Sequence, residues 1–416
     1  MLSGRLWRYP DFLKLWAGET ISQFGSQVTL LAVPTVAILI LHAGPFQVGL
    51  LSALEFLAFP TLGLVAGVYA DRLRRRPIMI LCDLGRFLAL GSIPVAFVLN
   101  LLTLEQLYLV ALLTGIFTVF FDVSYQSYLP VLVDRSNLVE GNTKLEISRS
   151  VAQVSGPAIA GFLIQWIGGA KAVAVDALSF LLSAIALASI NKPEPQPRPS
   201  TASGATGFIP EIREGLDVVF KNPILWRIAG CTATFNLGSN MVFGAVFLVF
   251  VYRQLHLSVA TVGIIFAVGS IGGLIGAILA AWVARKLGVG PTLAIATAVG
   301  GLAILVLPFA LVIAPVAVLA TLGFLGGLTG PIYNISQVSL RQAITPDRVQ
   351  GRMNATMRTI VWGTMPVGAF IGGILGTGIG LVQTIVLGGI VSVAAALWIV
   401  LGPVIRLKEQ PAPVMA

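Results

Sequence analysis

A succession of apolar runs, each long enough to cross a lipid bilayer, constrains this chain before anything else does. A spanning helix needs about 20 predominantly apolar residues. Runs of that kind cover 13–41, 47–70, 77–99, 104–128, 145–168, 171–190, 223–251, 258–284, 291–311, 314–340, 355–379 and 382–404, twelve in all. Hydrocarbon offers no water to backbone N–H and C=O groups, so each run must close its own hydrogen bonds as an α-helix. The chain is 56% hydrophobic and 10% charged, against about 25% charged residues in soluble domains, which excludes an ordinary soluble fold. The expected fold class is an all-α membrane protein with twelve transmembrane helices, and the even number returns both termini to one side.

Charge identifies that side. Arg5, Arg8 and Lys14 precede the first run, Arg72 to Arg76 follow the second, Arg135 and Lys144 the fourth, and Lys192, Arg198, Arg213 and Lys221 the sixth. Arg285 and Lys286 follow the eighth, Arg341, Arg348 and Arg352 the tenth, and Arg406 and Lys408 the last, whereas the opposite side carries only Lys171 and Arg253. Cytoplasmic loops carry the Lys/Arg excess, so both termini are expected in the cytoplasm and the chain in the inner (cytoplasmic) membrane. The net charge of +9 then reflects loops facing anionic lipid, not nucleic acid. Cys82 and Cys231 both lie in apolar runs, which argues for helix packing and against a disulfide framework. No cleavable signal peptide is expected, because residues 1–14 are basic and aromatic and lead into a run long enough to span.

The middle of the chain reads as a linker. Lys192 to Gly207 alternates prolines and then turns Ser/Gly-rich, a composition that favours extended and then flexible backbone. Residues 210–221 predict a short amphipathic helix with Ile212, Leu216, Val219 and Phe220 on one face, placed on the cytoplasmic membrane surface. The flanking halves repeat each other. Phe24-Gly25-Ser26-Gln27 matches Leu237-Gly238-Ser239-Asn240, and Val48-Gly49-Leu50-Leu51 matches Val262-Gly263-Ile264-Ile265, at an offset of about 213 residues. Such parallel six-helix repeats are related by an axis along the membrane normal. The expected domains are bundles at 1–190 and 223–404, a linker at 191–222 and a cytoplasmic tail at 405–416.

Between the second and third runs stands Gly67-Val68-Tyr69-Ala70-Asp71-Arg72-Leu73-Arg74-Arg75-Arg76. Charge this dense is expelled from hydrocarbon, and Gly67 leaves room for a neighbouring helix to approach. Gly-x-x-x-Asp-Arg with a basic cluster, between two spans, resembles the loop signature of the major facilitator superfamily. Trp16 to Ser26, Asp83-Leu-Gly-Arg86, Phe121-Asp122 and Leu129-Pro130 are similar to its branch of macrolide-efflux and enterobactin-exporter proteins. The resemblance implies two pseudo-symmetric six-helix bundles that alternate access. It implies a gate network of Gly67, Asp71, Arg72, Arg75 and Asp122. Gly156, Pro157 and Gly161 on the fifth span resemble the helix-bend motif of the superfamily's proton-coupled exporters.

Ionisable groups inside spans are costly and mark functional sites. In the first half these are Glu19, Glu55, Asp83, Arg86, Asp122, Glu146, Arg149 and Asp176, and in the second chiefly Arg358. Glu19, Gln23 and Gln27 recur at i, i+4, i+8, a polar stripe that faces water or a partner helix, not lipid. A carboxyl shielded there can take up and release a proton, so Glu19 and Glu55 are the proton-coupling candidates. Asp83 with Arg86, and Glu146 with Arg149, are spaced i, i+3 and expected to pair, the first two with each other or with Asp71 and the basic loop. Asp176 is expected to be structural. The superfamily lines its central cavity with the first, fourth, seventh and tenth helices. That adds Tyr125, Gln126, Asn236, Asn240, Tyr333, Asn334 and Gln337 to Gln23 and Gln27 as substrate-cavity candidates.

No nucleophile elbow, phosphate-binding loop, metal motif or cofactor motif occurs in the sequence. Active transport would therefore draw on an ion gradient. The expected function is export of a small amphipathic compound (a drug, macrolide or siderophore-like molecule) by proton antiport. The expected partners are that substrate, protons and lipid, with no nucleic acid, cofactor or metal, and the chain acts as a monomer. The alternatives are an uncoupled or importing metabolite facilitator, discriminated by insensitivity to a collapsed proton gradient, and a non-transporting membrane sensor.

Overall fold

The computed structural model of the chain describes residues 5–134, 137–194 and 208–408. Twelve of its helices are long and apolar enough to cross a membrane. The first half supplies α1 (Pro10–Leu39), α2 (Pro45–Arg72), α3 (Arg75–Val98), α4 (Leu104–Leu132), α5 (Leu138–Ile167) and α6 (Gly169–Ala188). A short α7 (Phe208–Lys221) precedes the second set. Its first span is α8 (Leu225–Met241), a π-helical turn at Val242–Val246 and α9 (Phe247–Arg253). Then come α10 (Val259–Leu287), α11 (Val289–Leu305), α12 (Pro315–Ile344) and α13 (Asp347–Gly378). The last span is α14 (Leu381–Ala394) continued by α15 (Leu397–Val400). The later linker from 195 to 207, Arg135 and the tail beyond 408 lie outside the described residues.

Several helices begin well before the apolar run that announces them. α5 starts at Leu138 and α13 at Asp347, so Lys144 and Arg352, read from the sequence as loop charges, are helical. The reason is physical: an apolar run records what enters hydrocarbon, while the hydrogen-bond ladder continues into water wherever side chains allow it. Lys144 earns its helical place by pairing with Glu140 at 3.4 Å and lying 4.0 Å over the Trp7 ring. Turns between spans are tight. His42, Asn100 and His256 take left-handed φ of 55°, 56° and 52°, and Gly168, Gly288 and Gly380 take 87°, 89° and 100°. The pairs His42/His256 and Gly168/Gly380 are spaced by close to the offset between the matched sequence segments, whereas Asn100 and Gly288 have no such counterpart.

The chain divides into two compact units. Unit 1 comprises Met1–Ala43, Leu54–Thr201 and Ser258–Ala267; unit 2 comprises Gly44–Ala53, Ala202–Leu257 and Val268–Ala416. Unit 1 thus includes the start of α10, and unit 2 the start of α2. In unit 1, Leu6, Phe12, Met79, Tyr128 and Leu132 form a core at the end bearing the basic loop. In unit 2 the corresponding core holds Val219, Ile228, Leu293, Met353 and Met357.

The presence of Val219 in that core adds to the expectation for α7. Part of its apolar face packs on the base of α13. Gly215 abuts the Arg352 carbonyl and Thr356, Glu214 pairs with Arg352, and Val219 is fully buried. Leu216 and Phe220 remain exposed, and the Ile212 side chain lies outside the described residues. An apolar helix face is satisfied equally by protein or lipid, and its periodicity is the same in both cases.

Candidate functional site

In unit 1 the polar side chains converge on Arg86 of α3. The guanidinium donates to Asp83 at 2.5 Å, one turn back, as their spacing predicts. It lies between two aromatic faces, Phe121 of α4 at 4.4 Å and Phe180 of α6 at 4.0 Å. Such cation–π contacts gain strength when desolvated. Glu19 of α1 stands within electrostatic reach of Arg86, Asp83 and Asp122. One of its carboxylate oxygens accepts from Gln23 Nε2 at 2.7 Å; the other, Oε2, is buried without a hydrogen-bond partner. The predicted stripe is thus assembled at its first two members. Its third, Gln27, packs on Gly156 of α5, where a Cβ would overlap it.

Asp176 of α6 is 1% exposed and accepts from Ser179 Oγ at 3.0 Å. Gly25 lets this pair approach α1, since any side chain there would collide with Asp176 and Ser179. Glu55 of α2 is half-buried and has no hydrogen-bond or ionic partner among the described residues. Its backbone carbonyl lies against Gly115 of α4. Tyr125 stacks on Phe121 at 6.1 Å, while Gln126 is exposed. Glu146 and Arg149 are both exposed, and no ion pair joins them within 4 Å, so that expected pairing is not made. Water competes for each of these charges at no cost in desolvation.

The basic loop finds a partner that the sequence conceals. Glu194, beyond the end of α6, accepts from the backbone N–H of Arg75 at 2.7 Å and of Arg76 at 3.0 Å. The Arg75 guanidinium stands 3.9 Å from the same carboxylate. An anion on the free N–H groups of a helix start is favourable in itself. Arg76 donates to the Leu187 and Ala188 carbonyls, and Lys192 reaches the Leu132 carbonyl. Asp11 accepts from the backbone N–H of Asn191 and Lys192. Residues 190–194 therefore fasten the ends of α1, α3, α4 and α6 together. The Asp71 side chain lies outside the described residues. Of the gate residues named from the resemblance, Arg75 is held by Glu194 and not by Asp122. Arg72 is exposed, and a Cβ at Gly67 would meet nothing within 4 Å, so the close approach expected there is not made. The one signal of Glu194 in the sequence is an acid set among prolines.

The bend motif in α5 behaves as a docking surface. Gly161 abuts Val259 and Gly263 at the start of α10, and Gly263 abuts the Pro157 carbonyl. One repeat later, Gly49 at the start of α2 abuts Ala369 and Gly373 of α13 in unit 2.

Unit 2 builds its interior from neutral groups. Thr232 and Tyr333 share a hydrogen bond of 2.7 Å, Asn236 donates to the Val361 carbonyl at 3.2 Å, and Asn240 donates to the Asn236 carbonyl at 2.9 Å. Gln337 is 4% exposed and donates to Asn334 at 3.0 Å, while its Oε1 is buried without a partner. Both cysteines are buried and free, as their surroundings predict. Among the described residues no group of three or more His, Cys, Asp or Glu could hold a metal ion.

Comparison with known proteins agrees with this architecture. The chain is 26% identical to the multidrug efflux pump Tap of Mycolicibacterium fortuitum, over 91% of each chain. It is 26% identical to the enterobactin exporter EntS of Citrobacter koseri, over 97% of this chain and 94% of that one. Its fold matches the crystal structure of a bacterial homologue of the human lysosomal transporter Spinster with a TM-score of 0.72, at 16% identity and over 98% of both chains. The Major Facilitator Superfamily model matches residues 15–296 and, a second time, 228–414. With twelve spans and that match over most of its length, this multi-pass membrane protein belongs to the Major Facilitator Superfamily, whose members carry small molecules and are not enzymes.

Proposed function

We propose that this protein exports a small amphipathic compound across the cytoplasmic membrane in exchange for protons, with both termini inside. The observation that carries the reading is Glu19. One oxygen of its carboxylate is engaged by Gln23 and the other is buried without a partner, within electrostatic reach of Arg86, Asp83 and Asp122. A buried carboxylate oxygen left unpartnered is a place where a proton can be carried. Glu55, without a partner of its own, is the second proton carrier. Relatedness to an efflux pump and to a siderophore exporter supports the outward direction. Gly67, Asp71, Arg72, Arg75 and Asp122 form the inner gate, and residues 190–194 brace it through Glu194.

The test is gradient-driven export by the purified protein in proteoliposomes, using a panel of dyes and drugs. Glu19→Gln is expected to lower proton-driven export at least about tenfold while downhill exchange of the same compound persists. Full gradient-driven export by both Glu19→Gln and Glu55→Gln would remove the proton assignment. Export that survives a protonophore would remove coupling altogether.

A further inference from the structure

One cation of unit 2 is left unexplained by the fold. Arg358 lies on α13 near the start of its apolar run 355–379, about 5 Å in at 1.5 Å per residue. It is exposed, and among the described residues it contacts the Trp362 ring one turn on, 4.7 Å from the guanidinium carbon. Asn354, one turn back on the same face, accepts from Arg341 of α12 at 3.3 Å. The Nε of Arg341 is buried without a partner. Among the described residues no ion pair within 4 Å joins a carboxylate to Arg341 or Arg358. Asn354, Arg358 and Trp362 thus follow one another at i, i+4 spacing on one face of α13, with Arg341 bonded to the first and its Nε a buried donor without a partner.

Further along α13 the same face meets protein. Residues 11 and 15 beyond Arg358, an integral number of turns within about 60°, are Ala369 and Gly373, which receive the first turns of α2 at Gly49 and Pro45. The large apolar side chains that α13 exposes, Val367, Phe370 and Ile374, point elsewhere. Val367 is nine residues from Arg358, about half a turn round. A guanidinium inside a span is retained where it meets an anion or water, and its planar fork matches a carboxylate in bidentate fashion.

We propose that Arg358 and Trp362, with Arg341 and Asn354, form the subsite that takes an anionic group, a carboxylate or a similar planar oxyanion, of the transported molecule. The cargo is then an amphipathic anion or zwitterion whose aromatic or apolar body lies beside the Trp362 ring. This rests on the transport reading above but not on its proton coupling, and the test needs no gradient.

Equilibrium binding is measured with the full-length protein in phosphatidylcholine nanodiscs. Two dyes of one skeleton serve as probes, anionic fluorescein and cationic rhodamine 123. The wild type is expected to bind fluorescein more tightly. Arg358→Gln is expected to weaken fluorescein at least about tenfold and to leave rhodamine 123 within about twofold, with Arg358→Lys intermediate because a point charge replaces the fork. If Arg358→Gln does not fold, Trp362→Leu and Arg341→Gln carry the test, each weakening fluorescein at least about threefold. Unchanged fluorescein binding in these variants, or a wild type that prefers rhodamine 123, overturns the proposal. So does a variant that binds fluorescein normally but, in discs doped with phosphatidylglycerol, no longer retains that lipid, which would make Arg358 a headgroup anchor. Loss of proton-driven export with the dye preference intact overturns only the coupling.

Discussion

The two units are both built of long apolar helices, yet they fill their interiors with opposite chemistry. Unit 1 buries an ion pair, Asp83–Arg86, between aromatic rings, and sets Glu19 and Asp176 around it. Unit 2 uses Thr232, Tyr333, Asn236, Asn240 and Gln337, all neutral, and among the described residues no carboxylate pairs with its Arg341 or Arg358. Even the end clamps differ. In unit 1 a carboxylate, Glu194, accepts from the N–H groups that open α3; in unit 2 the Leu407 carbonyl accepts from Gly290 N–H near the start of α11 at 2.9 Å. The lesson is that packing between helices survives duplication because it depends on small residues and helix spacing. Charge placement diverges, since each buried charge must find its own partner.

The comparison breaks most readily at the buried pair. Arg86→Met alone strands Asp83 and is expected to destabilise by about 3–5 kcal/mol, whereas Asp83→Asn with Arg86→Met recovers much of that loss. Thermal unfolding in detergent with a buried-thiol probe at Cys82 checks both, and equal loss in the single and double variants would show that packing, not charge, governs the site. Next comes helix contact, where both units should respond alike. Gly25→Ala meets Asp176 and Ser179 of α6, and Gly276→Ala meets the Leu328 backbone of α12. Each is expected to cost about 1–3 kcal/mol by overpacking.

Smaller effects sharpen the contrast at the clamps. Glu194→Gln keeps the hydrogen-bonding shape but removes the charge at the α3 start, with an expected loss of about 0.3–1 kcal/mol that shrinks at high salt. The Leu407 clamp, being neutral, should show no such salt dependence. At the bottom of the scale, Gly67→Ala faces open space and should alter stability by no more than about 0.5 kcal/mol. A larger effect on transport with stability unchanged would mean that Gly67 serves a conformation other than this one. On α7, Lys221 donates to Asp217 at 2.8 Å and holds that exposed carboxyl below its usual range. Asp217→Asn is expected to leave the melting curve where it is.

Much of the molecule was legible in its residues. The spans followed from apolar run length, the repeat from matched segments such as Phe24–Gln27 and Leu237–Asn240, and the Asp83–Arg86 and Glu19–Gln23 contacts from helical spacing. Those contacts are local, so one helix specifies them. The same spacing rule failed for Glu146 and Arg149, because exposure to water removes the reason to pair. Glu194 escaped because its partners, Arg75 and Arg76, lie 119 and 118 residues away, and a proline-rich composition reads as a free linker. α7 was legible as an amphipathic helix, but what covers its apolar face was not.

What the amino-acid order determined by itself is how many times the chain crosses, where it turns and which helices carry charge. Bilayer thickness and the cost of unpaired backbone in hydrocarbon leave a run of 20 apolar residues one solution. Only the tertiary structure decided that Arg86 lies between two rings, that Glu194 and not Asp122 holds Arg75, that α7 packs on α13 through Val219, and that no carboxylate among the described residues pairs with Arg358. These depend on which distant helix stands opposite, and a buried polar group is stabilised by the particular neighbour it meets, which no local pattern encodes.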